Sequence, residues 1–384
     1  MICQTPLKYT LSCLHRAVRA FGLLLTLAAL PVFGQQIHQL SYNGSTWADQ
    51  NLSGAAAQQW AISAFFTTPN DQFHVFYGAV ESNDLHQLFY NGSSWADEDL
   101  NQSTALCEYC GISGFSVDNF QYVFYTASDY ALHQMLYNNV GWVDTNLSVA
   151  SGATALPAGN TLVAFTTSPA LHVYFTGDDS HIHQTYATDG TNWQDQDLTL
   201  ATGGPLACQG CLGITGFNVG NFQYVYYLDA NASHIHQLSY NNVSWTDEDL
   251  TALTKSPPAY FAGMSAFLIP GSKTMRVYFV SGKNHHIMQL SSTSNGKWSS
   301  SDVTRKANAP VPDGYAPLVA IPNATGGDVN VYYVTGHAIN RLYQPTSKTW
   351  ANQDLSAFTN GANPYSQLAG FSLNNNQYLY YVVE

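Results

Sequence analysis

Ile37-His38-Gln39-Leu40-Ser41-Tyr42-Asn43-Gly44-Ser45-Thr46-Trp47, followed by Asp49 and Leu52, decides the fold because it is written seven times along the chain. Further copies run from Leu85 to Trp95, Leu132 to Trp142, Ile182 to Trp193, Ile235 to Trp245, Ile287 to Trp298 and Ile339 to Trp350, with successive tryptophans 47 to 53 residues apart. A period near 50 that holds several short strand patterns marks a propeller, one repeat to each blade. The expected fold is all-β, a seven-bladed β-propeller of four-stranded antiparallel blades.

Working outward, each repeat divides into four strands by alternation and turn residues. In the second these are Ala61 to Phe65, Phe73 to Tyr77, Leu85 to Phe89 and Trp95 to Leu100. The small residues of the first suit a crowded axis. Asn43-Gly44 and Asn91-Gly92 signal a tight turn between third and fourth strands. The chain enters the repeats on a third-and-fourth-strand pair (Ile37 to Leu52) and ends on a first-and-second-strand pair (Ala369 to Tyr381), so joining the two in one sheet should close the ring and hide its edges.

Residues 1–34 read as a cleaved secretory signal: Lys8, Arg16 and Arg19 precede the apolar run Phe21 to Val32, which is too short to span a bilayer, and Val32-Phe33-Gly34 offers the small residue a signal peptidase needs. Residues 35–384 then form one propeller, and the expected location is secreted or periplasmic. Nine basic residues remain against 25 acidic ones, a formal charge of minus 16, which repels nucleic acid and anionic membrane surfaces. No later stretch predicts membrane insertion.

The repeats also place polar residues in columns. Cys107 with Cys110 and Cys208 with Cys211 read as two local disulfides, since the pairs sit two blades apart and cannot share one zinc ion. His38, His86, His133, His183 and His236 are spread around a ring, so no metal site is expected from them. Acidic residues recur two positions after tryptophan (Asp49, Asp97, Asp144, Asp195, Asp247) and, with asparagines, four positions after (Asn51, Asp99, Asn146, Asp197, Asp249, Asp302, Asp354). Both columns read as turn caps rather than glycosidase carboxylates. No Gly-x-Ser-x-Gly elbow or Gly-rich phosphate loop occurs, and neither catalysis nor a cofactor is expected.

The column with binding chemistry is glutamine, tyrosine and tryptophan. Gln39, Gln87, Gln134, Gln184, Gln237 and Gln289 recur, with Arg341 in the seventh repeat; tyrosine follows at Tyr42, Tyr90, Tyr137 and Tyr240. An aromatic face beside a planar amide suits a sugar, whose ring C–H groups lie on the aromatic while its hydroxyls bond the polar group. Inter-blade packing by the tryptophans explains the same column, and both readings stay open at this point.

The order second strand, then Ile-x-Glu, then an aromatic, then Asp/Asn-Gly-x-x-Trp resembles the fucose-binding β-propeller lectins, the Aleuria-type fungal lectins and their bacterial relatives, some of them seven-bladed. The likeness covers every repeat from residue 36 to 384. It implies sugar sites between adjacent blades and no enzyme activity. The family pocket joins an arginine of the second strand and the glutamate of Ile-x-Glu to two aromatics of the neighbouring repeat. Carried over, the arginine column is His74, Tyr122, His172, Tyr224, Arg276, Asn330 and Tyr378, and the glutamate column is glutamine apart from Arg341. The aromatics are Tyr42 with Trp47, Tyr90 with Trp95, Tyr137 with Trp142 and Tyr240 with Trp245.

The sequence therefore predicts a multivalent lectin whose partners are glycans or glycoconjugates, fucose or related (for example methylated) sugars. A protein-binding propeller is the rival reading, a glycoside hydrolase the third, and the oligomeric state is left open.

Overall fold

The computed structural model describes residues 35–383 apart from 53, 69–71, 101–102, 294–295, 314–316, 324–328, 337, 346–348 and 360–363. The expected signal segment lies outside the described residues.

Seven sheets of four antiparallel strands follow one another. Blade 2 shows the pattern, with strands Ala57–Thr67, Gln72–Ala79, Leu85–Tyr90 and Trp95–Asp99. Blades 3 to 7 occupy 112–146, 162–197, 214–249, 259–302 and 318–354. Blade 1 joins the two ends of the repeat region: Pro364–Leu373 and Asn376–Val383 carry Gln36–Tyr42 and Trp47–Asn51. The two pairs join in one sheet, as the sequence implied, with register pairs from Gln36 with Val383 to Tyr42 with Gln377. The first strands of successive blades lie side by side the whole way round, which puts them at the axis.

Crowding there explains the small residues. Ala64, Gly114, Ala164, Gly216, Ala266, Ala320 and Gly370 occupy equivalent positions. A Cβ on Gly114 would lie 2.7 Å from the Phe65 ring of the previous blade, and one on Gly370 2.6 Å from its own blade's Tyr378 carbonyl.

Apolar clusters fill the spaces between neighbouring blades; one joins Phe65, Phe76 and Leu85 to Ile112, Val123 and Met135. Each repeat tryptophan closes such a space edge-on against a second-strand aromatic of the preceding blade. Trp142 meets Phe76 with ring centroids 5.7 Å apart, and Trp245 meets Tyr174 at 6.0 Å. The same contact recurs at Trp47, Trp95, Trp193, Trp298 and Trp350. The packing reading of the tryptophans is thus true of all seven.

Short helices follow four fourth strands (Leu147–Ser151, Leu198–Thr202, Leu250–Thr254 and Val303–Ala307), an addition the strand pattern did not reveal. Their N-caps are Asn146, Asp197, Asp249 and Asp302, each accepting a backbone N–H three residues on at 2.8–2.9 Å. With Asp354, which accepts the Ser356 N–H at 2.8 Å, five of the seven positions in the second acidic column cap a turn or helix as expected, while Asn51 bonds Gln36 and Asp99 lies 3.8 Å from His86. The first column does not cap: Asp49, Asp97, Asp144, Asp195 and Asp247 each face the repeat histidine at 2.8–3.2 Å. Tyr381, Tyr77, Tyr125 and Tyr227 donate to four of the same carboxylates at 2.7–2.9 Å. A half-buried carboxylate needs partners that repay its lost hydration, and histidine on the neighbouring strand with tyrosine on the next supplies them.

Candidate functional site

Seen from the second strands, the seven blades are of two kinds. Blades 1, 3 and 5 carry Gln377-Tyr378, Gln121-Tyr122 and Gln223-Tyr224, together with the axial glycine. Blades 2, 4, 6 and 7 carry Phe73-His74, Leu171-His172, Met275-Arg276 and Val329-Asn330, with an axial alanine. A site built between blades depends on which kind comes first.

Between blades 4 and 5 a cleft of about 450 Å³ is lined by His172, Gln184, Tyr186, Gln196, Gln223, Tyr240 and Trp245. Here the sequence-expected residues meet as pairs from adjacent blades. Gln184 donates its amide to His172 Nδ1 at 2.6 Å and to the Tyr174 hydroxyl at 3.1 Å, and lies 3.3 Å from Gln223 Oε1 of the next blade. Tyr174 also donates to Gln223. His172 Nε2 meets the Thr167 hydroxyl at 2.8 Å. Burial holds His172 down to about 4, so the ring is neutral at pH 7 and Nδ1 accepts. Tyr240 packs on Trp245 with centroids 5.3 Å apart.

The junction of blades 2 and 3 repeats this set. Gln87 donates to His74 Nδ1 at 2.6 Å and to Gln121 Oε1 at 2.9 Å, while Tyr137 and Trp142 pack 5.4 Å apart. His74 is likewise held to about 4 by burial.

Between blades 7 and 1 lies a larger cleft of about 750 Å³, lined by Tyr42, Trp47, Asn323, Arg341, Tyr343, Asn352, Gln353 and Gln377 among others. Arg341 stands in the glutamine column. Its Nε donates to Asn330 Oδ1 at 2.8 Å and Nη1 to Gln353 at 3.2 Å, and its guanidinium lies 5.1, 5.4 and 4.5 Å from the ring centroids of Tyr42, Trp47 and Tyr343.

A model of the fungal fucose-specific lectins matches residues 116–342, more than half of the chain. The chain belongs to this lectin family. Solved structures agree on the fold of the lectin. The BP39L lectin from Burkholderia pseudomallei superposes with TM-score 0.67 at 14% identity, over 80% of this chain and 88% of that one. The Aleuria aurantia lectin, described as a six-bladed β-propeller with a novel fucose recognition mode, gives 0.52 at 14%, over 77% and 94%. AofleA from Arthrobotrys oligospora gives 0.54 at 12%, over 84% and 90%. No curated protein matches the lectin. By family it is a carbohydrate-binding protein.

The remaining expected residues sit at junctions of other composition. Gln39 donates to the Tyr380 hydroxyl at 2.8 Å, and Trp95 packs on the same ring, but the preceding arginine-column residue, Tyr378, packs tilted against Phe73 of blade 2 with centroids 4.6 Å apart. Tyr90 packs on Trp95 at 5.6 Å. Tyr122 and Tyr224 lie against Phe115 and Phe217 of their own blades, at 5.4 and 5.6 Å. Gln134 and Gln237 each keep a buried amide atom without a partner. Arg276 reaches the Tyr278 hydroxyl and Gln344, both at 3.3 Å, and Gln289 accepts from Tyr278 at 3.1 Å.

Sequence reasoning missed Gln121, Gln223 and Gln377, which reach across from the next blade. Their signal was present in the near-identical strings Phe120-Gln121-Tyr122 and Phe222-Gln223-Tyr224, visible when alternate rather than successive repeats are compared. It also missed a cluster within one blade, where donor atoms of Asp179, His181, His183 and Asp197 come within 4.8 Å of one another. Comparing histidines across blades could not reveal it; ion pairs such as His181 with Asp197 at 2.6 Å hold it together. The disulfides Cys107–Cys110 and Cys208–Cys211 are formed, each just before a first strand.

Proposed function

We propose that this lectin takes sugars in the clefts where an His/Asn-bearing blade precedes a Gln-Tyr blade, at the junctions 2/3, 4/5 and 7/1, and that it is not an enzyme. The observation that carries this is the 4/5 cleft, where a buried His172–Gln184 pair faces Tyr240 and Trp245 of the next blade. A pyranose lies its C–H face on Trp245, and its hydroxyls bond the polar pair. The bonds to His172, Tyr174 and Gln223 use the Gln184 amide nitrogen, and its oxygen is the atom that turns to a hydroxyl. Fucose and methylated sugars, with an apolar methyl beside a polar edge, fit such a wall. Neutral His and Gln make weaker hydrogen bonds to a hydroxyl than a charged Arg–Glu pair does. Firm attachment then comes from several weak sites on one rigid body meeting a glycan-coated surface. Export through residues 1–34 to an oxidising compartment accords with the two disulfides.

Binding of the purified protein to a glycan panel with fucosylated, methylated and galactosylated members, competed by free monosaccharide, tests the reading. Competable binding to a narrow set is expected, lost in part with Trp245→Ala. No binding at high glycan density moves the weight to a protein partner.

A further inference from the structure

The three clefts differ in charge. Opposite the glutamine-column residue, across the third and fourth strands, stand Glu98 in blade 2, Gln196 in blade 4 and Gln353 in blade 7. With neutral His74 and His172, the 2/3 junction carries a carboxylate at its rim and the 4/5 cleft no charge. The 7/1 cleft alone holds a cation.

Arg341 is only 9% exposed. A buried cation is costly unless a charge of opposite sign offsets it. Yet among the described residues no carboxylate lies within ion-pairing distance of Arg341, and none lines the cleft. Its partners are neutral: two amide oxygens and three aromatic rings, which orient the guanidinium without neutralising it. Two residues that line the same cleft each carry a buried polar atom without a partner, Trp47 Nε1, on a side chain 8% exposed, and Asn352 Oδ1. One is a donor and the other an acceptor. A buried polar atom left unpaired costs about 1–3 kcal/mol, so both gain from a ligand that supplies the complement.

We propose that the 7/1 cleft binds a sugar bearing a carboxylate, a uronic or sialic acid residue, and that this lectin therefore has two ligand classes. This rests on the sugar-binding reading of the clefts. The carboxylate meets the guanidinium and the Trp47 indole N–H, both donors; a ring hydroxyl donates to Asn352 Oδ1; and the apolar face of the ring lies on Tyr42 or Trp47. A guanidinium–carboxylate pair makes stronger hydrogen bonds than neutral partners do, and it suits Arg in preference to Lys. The volume, larger than at 4/5, leaves room for the extra group and for a second sugar unit.

Titration calorimetry of the intact protein with methyl α-glucuronide, methyl α-glucoside and methyl α-fucoside tests this, with methyl sialoside as a second acid probe. One acid-sugar site per chain is expected. Its affinity should exceed that for the uncharged glucoside at least tenfold and fall between 50 and 500 mM salt. Arg341→Gln, which restores the residue of the other repeats, should weaken acid-sugar binding at least tenfold, with the fold of the variant checked by its melting temperature. Fucoside binding without any preference of the wild type for an acid sugar over its neutral counterpart overturns this inference and leaves the lectin reading standing; acid-sugar binding that survives Arg341→Gln overturns it as well. Failure of every sugar to bind overturns both.

Discussion

At the scale of single residues, two histidine populations behave in opposite ways. His74 and His172 are buried without a carboxylate and stay neutral down to about pH 4. Binding in the 2/3 and 4/5 clefts should therefore be flat from pH 8 to 5 and fall as pH nears 4, when a proton on Nδ1 displaces the glutamine donor; a fucoside titration across pH checks this. His133 is the contrary case. Burial works against its charge, but the hydrogen bond and charge of Asp144 prevail and raise it above 6.5, while Asp144 is held below its usual 3.8. A base raised on folding adds stability that is complete below its unfolded value and lost as pH rises through the folded one. The melting temperature of His133→Asn should thus lie furthest below wild type between about pH 4.5 and 6, and the gap should narrow at alkaline pH. Trp245 serves both packing and cleft: Trp245→Ala should cost less than the ~3–5 kcal/mol of a fully buried aromatic, since it is half-buried, and should weaken sugar binding while the ring stays folded.

At the scale of elements, the strands were legible because each is short, alternating and punctuated. Asn43-Gly44 forms the expected turn, with Gly44 at φ 89° and Asn43 Oδ1 accepting the backbone N–H of Ser45 and Thr46 at 3.0 and 2.9 Å. The helices were not legible. Five residues such as Leu147–Ser151 are too few to show a 3.6-residue period, and only the cap at Asn146 announced a start. Replacing Asn146 with Ala should cost about 1 kcal/mol in chemical denaturation, the usual worth of such a cap. The first acidic column misled because Asp97 pairs with His86 on the adjacent strand, eleven residues earlier, and with Tyr77 one strand further in. A column shows what recurs and not what it faces. The same limit hid Gln223, whose partner Tyr174 is one blade away.

At the scale of the whole molecule, ring closure and site number are the properties at stake. Blade 1 exists only because Gln36–Tyr42 pairs with Asn376–Val383, and Leu379, Tyr380 and Tyr381 are buried there. A chain ending at Gly370 should lose cooperative melting near the wild-type temperature; retention of that temperature argues against closure. Seven repeats allow up to seven sites, with repeats one, two, three and five the most complete in sequence, whereas the two kinds of blade leave three junctions that a second-strand glutamine crosses, facing Gln87 at 2/3, Gln184 at 4/5 and the Arg341 cleft at 7/1. An odd ring cannot alternate throughout, and blades 6 and 7, both of the alanine kind, stand side by side. The most direct measurement is a crystal structure with methyl α-fucoside at saturating concentration. Sugar stacked on Trp142 beside His74 and Gln87, and on Trp245 beside His172 and Gln184, is the predicted result. Sugar confined to the 1/2, 3/4 and 5/6 junctions, or bound away from every repeat tryptophan, would contradict the account.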